Sequence, residues 1–167
     1  MRSPQPAAGF PTPGHDHGPC LEEVIERAET AFRERGLRLT ELRRLVLEEV
    51  ASSHKAIGAY DVLERLFAKE GRRLAPISVY RALDTLVAAG VVHRLESRNA
   101  YFACHAGHAA NRRQIVFSCE QCGAVAEASE AQVFNGIAKA ADTLGFHMTQ
   151  VLVEVSGTCM ACRGGRQ

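Results

Sequence analysis

The chain has 167 residues, room for two small domains and too little for a large enzyme with an elaborate substrate domain. Lysine and arginine number 20 against 19 aspartates and glutamates, and the resulting formal charge of +1 leaves no global footprint pointing to nucleic acid or a membrane. No stretch reaches the roughly 18 consecutive apolar residues of a membrane span, and the N-terminus lacks an apolar core flanked by positive charge; the expectation is a cytoplasmic protein with no membrane partner.

Residues 1–20 hold Pro4, Pro6, Pro11, Pro13 and Pro19, five of the six prolines, with almost no branched apolar residues. Such a segment cannot bury a core and reads as a disordered tail, where His15, His17 and Cys20 could chelate a metal only weakly. Helical signals follow. Leu21, Val24, Ile25, Ala28, Ala31 and Phe32 recur at three- and four-residue steps, predicting an amphipathic helix over 21–36 closed by Gly36. Thr40 caps a second helix, with Leu42, Leu45, Val46 and Val50 inward and Arg43, Arg44, Glu48 and Glu49 mostly outward. A third, over 59–69, is expected to bury Val62, Leu63, Leu66 and Phe67. Pro76 suits a first helical turn, and 77–89 forms a fourth helix ended by Gly90. The runs 91–95 and 100–103, joined across Ser97-Arg98-Asn99, make a small hairpin, and helices followed by such a hairpin have the pattern of a winged helix-turn-helix.

Within the fourth helix, Val79, Leu83, Leu86 and Val87 share one side while Ser78, Arg81 and Thr85 point to the other and Tyr80 lies on the border. Small hydrogen-bonding residues around one arginine suit a major groove, where arginine can bond guanine bidentately. The same pattern fits an ordinary surface helix, and phase alone does not choose between them.

Four of the six cysteines form two Cys-x-x-Cys pairs, Cys119/Cys122 and Cys159/Cys162; the others are Cys20 and Cys104. Two such pairs supply the four soft ligands of a closed tetrahedral zinc site, which suits a reducing compartment better than a secreted disulfide framework. A redox dithiol is the competing reading. Structural zinc, on the order of 10 kcal/mol, would clamp residues 123–158 into one unit. That separation exceeds a simple zinc ribbon, so a strand, a helix and another strand must lie inside it. Residues 115–118 form an apolar strand, 124–128 return from the first pair, and 130–144 are helical with Val133, Ile137, Ala140, Ala141 and Leu144 as the stripe. Residues 147–155 alternate as a half-buried strand, with Val151, Val153 and Val155 opposite Leu152 and Glu154. Covering the edges of so small a sheet by self-pairing predicts a two-fold homodimer. The fold class expected is α+β: a winged helix-turn-helix domain over 21–104, a connection over 105–113, and a small α/β dimerisation domain over 114–167.

Arg38-Leu39-Thr40, Ala59-Tyr60-Asp61, Val79-Tyr80-Arg81-Ala82-Leu83-Asp84, Val92-His93-Arg94-Leu95-Glu96-Ser97, Cys119-Glu120-Gln121-Cys122-Gly123-Ala124-Val125 and Gly157-Thr158-Cys159-Met160-Ala161-Cys162 occur in an order and spacing that resemble the Fur family of metal-dependent repressors, from residue 21 to residue 162. The resemblance implies a dimer that binds A/T-rich palindromes in double-stranded DNA, a structural zinc on the cysteine pairs, and a second, exchangeable metal near the hinge, giving two zinc ions per subunit. His93, Cys104 and Glu127 fall at ligand positions of the zinc-sensing branch. Where that branch places its fourth ligand the chain has Arg112, leaving His108 as the expected fourth and His105 as the reserve. Tyr80 and Arg81 match DNA-contacting positions of the recognition helix, and Tyr60 matches another.

A nitrogen, sulfur and oxygen set containing a thiolate favours zinc over ferrous iron. Iron- and peroxide-sensing members carry a histidine-rich run before the first cysteine pair and another histidine in the last strand; here those places hold Gln114 to Phe117 and Gln150. The function implied is a zinc-responsive repressor of zinc-uptake genes, with an iron-, manganese- or peroxide-responsive regulator as the alternative. A zinc hydrolase or deaminase lacks its ligands, having neither His-Glu-x-x-His nor His-x-Glu with Pro-Cys-x-x-Cys, so no enzymatic activity and no small-molecule substrate are expected.

Overall fold

The computed structural model describes residue 10 and residues 18–71, 74–104 and 114–164. Helix α1 (Gly18–Glu34) starts ahead of the expected residue 21, so Cys20 lies in its first turn; it buries Val24, Ala28 and Phe32. Helix α2 (Glu41–Ala51) is capped as expected, the Thr40 hydroxyl accepting from Arg43 N at 3.5 Å. Strand β1 (Ile57–Gly58) leads into α3 (Ala59–Glu70), and α4 (Pro76–Ala88) is followed by a hairpin of β2 (Val92–Leu95), a 3-10 turn (Glu96–Arg98) and β3 (Ala100–Ala103). The first sheet has the order β1-β3-β2, and the helices pack their apolar stripes into one core with it.

Two inward-outward expectations are reversed. Glu49 is only 3% exposed, because α3 lies against its side of α2 and Lys69 supplies the ammonium that makes a buried carboxylate tolerable. Phe67 is 44% exposed: the buried stripe of α3 centres on Ala59, Val62 and Leu66, and Phe67 stands one helical step beyond it.

The hairpin is packed on both faces. Register pairs Val92 with Ala103 and Arg94 with Tyr101 on one face, and His93 with Phe102 and Leu95 with Ala100 on the other. Val92, Tyr101 and Ala103 join the helical core, whereas Leu95 and Phe102 pack against Val116 and Val125 of the second sheet. Period-two alternation thus makes one strand pair serve two cores.

The second sheet contains β4 (Ile115–Cys119), β5 (Val125–Ala128) and β6 (Val153–Gly157) in the order β5-β4-β6, with β4 antiparallel to β5 and parallel to β6. Helix α5 (Ala131–Thr143), with Glu130 capping Gln132 N at 3.3 Å, provides the crossover that a parallel pair requires. The strand, helix and strand expected between the cysteine pairs are all present. Three details differ. Ladder pairing of β6 begins only at Val153, not at 147, and a short helix α6 (Met160–Gly164) follows it. Of the expected α5 stripe Ala141 is buried and Ile137 half-buried, whereas Val133, Ala140 and Leu144 are exposed and Phe134, from outside the stripe, is buried in their place. Residues 54–56 run beside 123–125, with Ala56 N donating to Gly123 O at 3.2 Å and Val125 N to His54 O at 2.9 Å. Among the described residues no helix is long and apolar enough to cross a membrane.

Candidate metal centres and nucleic-acid interface

The parallel pairing of β4 with β6 carries both cysteine pairs to one end of the second sheet. The ladder closes at Cys119 opposite Gly157, Glu120 N donates to Gly157 O at 2.8 Å, and Cys159 follows two residues later. The first turn is closed by Gly123 N donating to Cys119 O at 2.9 Å, with Gly123 at φ 74, a conformation that side chains with a Cβ rarely adopt. The second is closed by Cys162 N donating to Cys159 O at 3.1 Å. All four Sγ atoms lie within 4.8 Å of one another, and Cys122 Sγ is 3.8 Å from Cys159 Sγ. A tetrahedron with metal–sulfur bonds of about 2.3 Å has edges of about 3.8 Å, so the four sulfurs fit a closed zinc site.

Electrostatics prepare that site unevenly. The Cys159 amide, 3.4 Å from Cys119 Sγ, leads the hydrogen bonds that lower the Cys119 thiol to about 6. Hydrogen bonding with Cys159 leads the effects that push Cys162 up to about 12. One sulfur is therefore readily a thiolate while another retains its proton, and a cation held by all four must displace protons.

The second cluster lies where the wing meets the second sheet. His93 comes from β2, Cys104 directly follows β3, and Glu127 comes from β5; their ligand atoms lie within 4.8 Å of one another. His93 Nε2 is 3.3 Å from Glu127 Oε1. Metal–nitrogen and metal–oxygen bonds of about 2.0–2.1 Å at tetrahedral angles give an edge of about 3.3 Å, so this set also fits a zinc ion. Cys104 is held by its amide, which donates to Val91 O at 3.0 Å, and by its carbonyl, which accepts from Arg27 Nη2 of α1. The His93 ring lies 5.5 Å from that of Phe102. His108, His105 and Arg112 lie outside the described residues.

Of the three residues singled out for DNA, the structure brings two together. Tyr60, 68% exposed on α3, and Tyr80 on α4 line one depression beside Pro76. Arg81 is exposed in a neighbouring groove of about 550 Å³, lined also by Thr40, Arg43, Ser78, Asp84 and Thr85. Arg43 is legible in the sequence only as an outward residue of α2. Its guanidinium donates to Arg38 O at 2.7 Å and lies 5.8 Å from the Phe32 ring, so a second arginine lines the groove holding Arg81.

Comparison with known proteins identifies relatives of this sequence and fold. The profile described as the ferric uptake regulator family matches residues 34–156. The zinc uptake regulation protein of Escherichia coli (strain K12) is 36% identical over 141 residues, covering 84% of this chain and 82% of that protein. Among solved structures, a zinc uptake regulator complexed with zinc and DNA aligns with a TM-score of 0.79 at 35% identity, over 86% of this chain and 95% of that one. Holo XcZur aligns at 0.74 with 37% identity, over 87% and 99%, whereas apo XcZur, 38% identical with the same coverage, aligns at only 0.51. Sequence, fold and ligand-type clusters coincide, and the chain belongs to the ferric uptake regulator family.

Proposed function

We propose that this chain is a zinc-responsive transcriptional repressor, not an enzyme, acting in the cytoplasm as a homodimer on palindromic operators in double-stranded DNA. Its domain limits are 21–104 for the winged-helix domain, 105–113 for the connection and 114–167 for the dimerisation domain. Cys119, Cys122, Cys159 and Cys162 hold a structural zinc; His93, Cys104 and Glu127 hold a regulatory one, with His108 as fourth ligand, giving two zinc ions per subunit. Tyr60, Tyr80 and Arg81 contact DNA.

The observation that carries this reading is the seam position of the His93–Cys104–Glu127 cluster. Two ligands belong to the wing and one to the second sheet, so joining them fixes how the DNA-binding half stands on the other. Bound there, zinc supplies an electrostatic cross-link among an imidazole, a thiolate and a carboxylate. Without that link the two halves sample more arrangements, and apparent DNA affinity falls by the fraction that fits the operator. The better alignment on holo than on apo XcZur supports a closed arrangement of this kind. The thiolate favours zinc over iron or manganese as the effector.

The dimer is supported by apolar surface exposed on the second half, although the first half also exposes Tyr60 and Ile77. Leu144 is 81% and Phe146 66% exposed, with Leu152, Val155 and Met160 also uncovered, and β6 lies at a sheet edge. Two copies paired there would present two α4 helices to two half-sites.

Binding of metal-stripped protein to one operator, with zinc, iron(II) and manganese(II) added in turn, tests the reading. Zinc alone is expected to restore tight binding. Equal affinity of stripped and zinc-replete protein would overturn it.

A further inference from the structure

One row of the second sheet meets the wing at three points. The ladders pair Val116 with Glu127 on β5 and with Glu154 on β6, so these three side chains stand in line on one sheet face. At one end Glu127 lies 3.3 Å from His93. In the middle Val116 packs with Leu95 and Phe102. At the other end Glu154 accepts two backbone hydrogen bonds from the wing turn, Glu96 N to Oε1 at 2.6 Å and Ser97 N to Oε2 at 3.0 Å.

That last contact has a clear chemical basis. Glu96 and Ser97 open the 3-10 turn, and the first N–H groups of a helical turn have no acceptor within it. A carboxylate spanning both amides satisfies them and meets the positive end of the turn's dipole. Partial burial works against the charged Glu154 carboxyl, but the bonds from Ser97 and Glu96 outweigh it and hold the group below its ordinary value.

We propose that Glu154 is a positioning residue for the DNA-binding half, a clasp that holds the wing turn on the second sheet without metal. The inference rests on the zinc-switch reading and adds to it. Glu127 and Val116 hold one end and the middle of this row, and Glu154 ties the wing turn down at the far end. By raising the closed fraction before metal arrives, it adds to how tightly the second zinc binds.

The test uses the full chain with Glu154→Ala and Glu154→Gln. Hydrogen exchange is followed at the Glu96 and Ser97 amides, and zinc affinity of the weaker site is measured by chelator competition without DNA. The alanine variant should lose protection at both amides and bind the weaker zinc about five- to twentyfold less tightly, with the cysteine-held zinc and dimer unchanged. Glutamine, which keeps one acceptor, should fall between. Zinc affinity within about twofold of native in the alanine variant, despite deprotected amides, would reduce the clasp to a local contact and overturn the proposal, as would unprotected amides in the native protein. If the native chain took up no second zinc, the zinc-switch reading would fail on its own. The clasp would then be judged by operator affinity of metal-free protein, which should still fall about five- to twentyfold in the alanine variant and would sink the proposal if unchanged.

Discussion

His93 Nε2 and Glu127 Oε1 stand 3.3 Å apart although their strands belong to different sheets. The wing and the second sheet are therefore joined by groups that bind cations, and Cys104 at the end of β3 completes the set. Replacing Cys104 with serine should remove zinc-dependent operator binding while circular dichroism and the cysteine-held zinc stay native. The loss in affinity for the second zinc should exceed the roughly 10- to 100-fold typical of losing a supporting group around a metal. A Cys104→Ser protein that still needed zinc to bind operator would refute the ligand assignment.

Cys119→Ser should behave differently. Cys119 is fully buried and receives the Cys159 amide, so its loss would open the proposed structural zinc site, and zinc held by such sites contributes on the order of 10 kcal/mol to folding. The expected result is zinc loss, melting of the β4–β6 region and dissociation of the dimer, read by metal analysis, circular dichroism and sedimentation.

Arg81 lies in the same groove as Arg43 and projects from α4 with Ser78 and Thr85. Arg81→Ala should weaken operator binding by about 1–3 kcal/mol and narrow the gap between operator and scrambled DNA. Fluorescence anisotropy on both duplexes decides the matter: equal losses on the two would reassign Arg81 to the phosphate backbone.

The Glu154 contact has a defined acid limit. Its carboxyl sits below the ordinary value of 4.5, so the fold favours the charged form. The contribution is complete above that ordinary value and disappears as pH falls through the lower folded-state value. Protection of the Ser97 amide, corrected for intrinsic exchange, should hold steady from about pH 8 to about pH 5 and decline below about pH 4.5, and Glu154→Gln should lack this acid step. A change centred near neutral pH would contradict the assignment.

Much of this architecture is legible in the order of the residues alone. The helical periods of α1 to α4, the Thr40 cap and the Ser97-Arg98-Asn99 turn are local signals, and local signals survive folding. The cysteine pairs are legible by spacing, and His93, Cys104 and Glu127 by resemblance to a family. What escapes depends on distant partners. Glu49 carries no local mark of burial; its tolerance comes from Lys69, 20 residues on. Glu154 reads as one polar position in an alternating strand, because the amide it meets at Glu96 lies 58 residues earlier. Only part of the expected α5 stripe is covered, Ala141 but not Val133 or Leu144, because periodicity gives an apolar face its width without saying which part of it meets a neighbour.

The two-sided hairpin carries a practical consequence. Leu95 and Phe102 are sheltered largely by β4 and β5, with Ala56 beside them, while Val92 and Tyr101 are committed to the helices. Cutting the polypeptide between the halves would turn both side chains outward, and the liberated amino-terminal fragment should clump or drop out of solution at concentrations where the intact molecule stays dispersed.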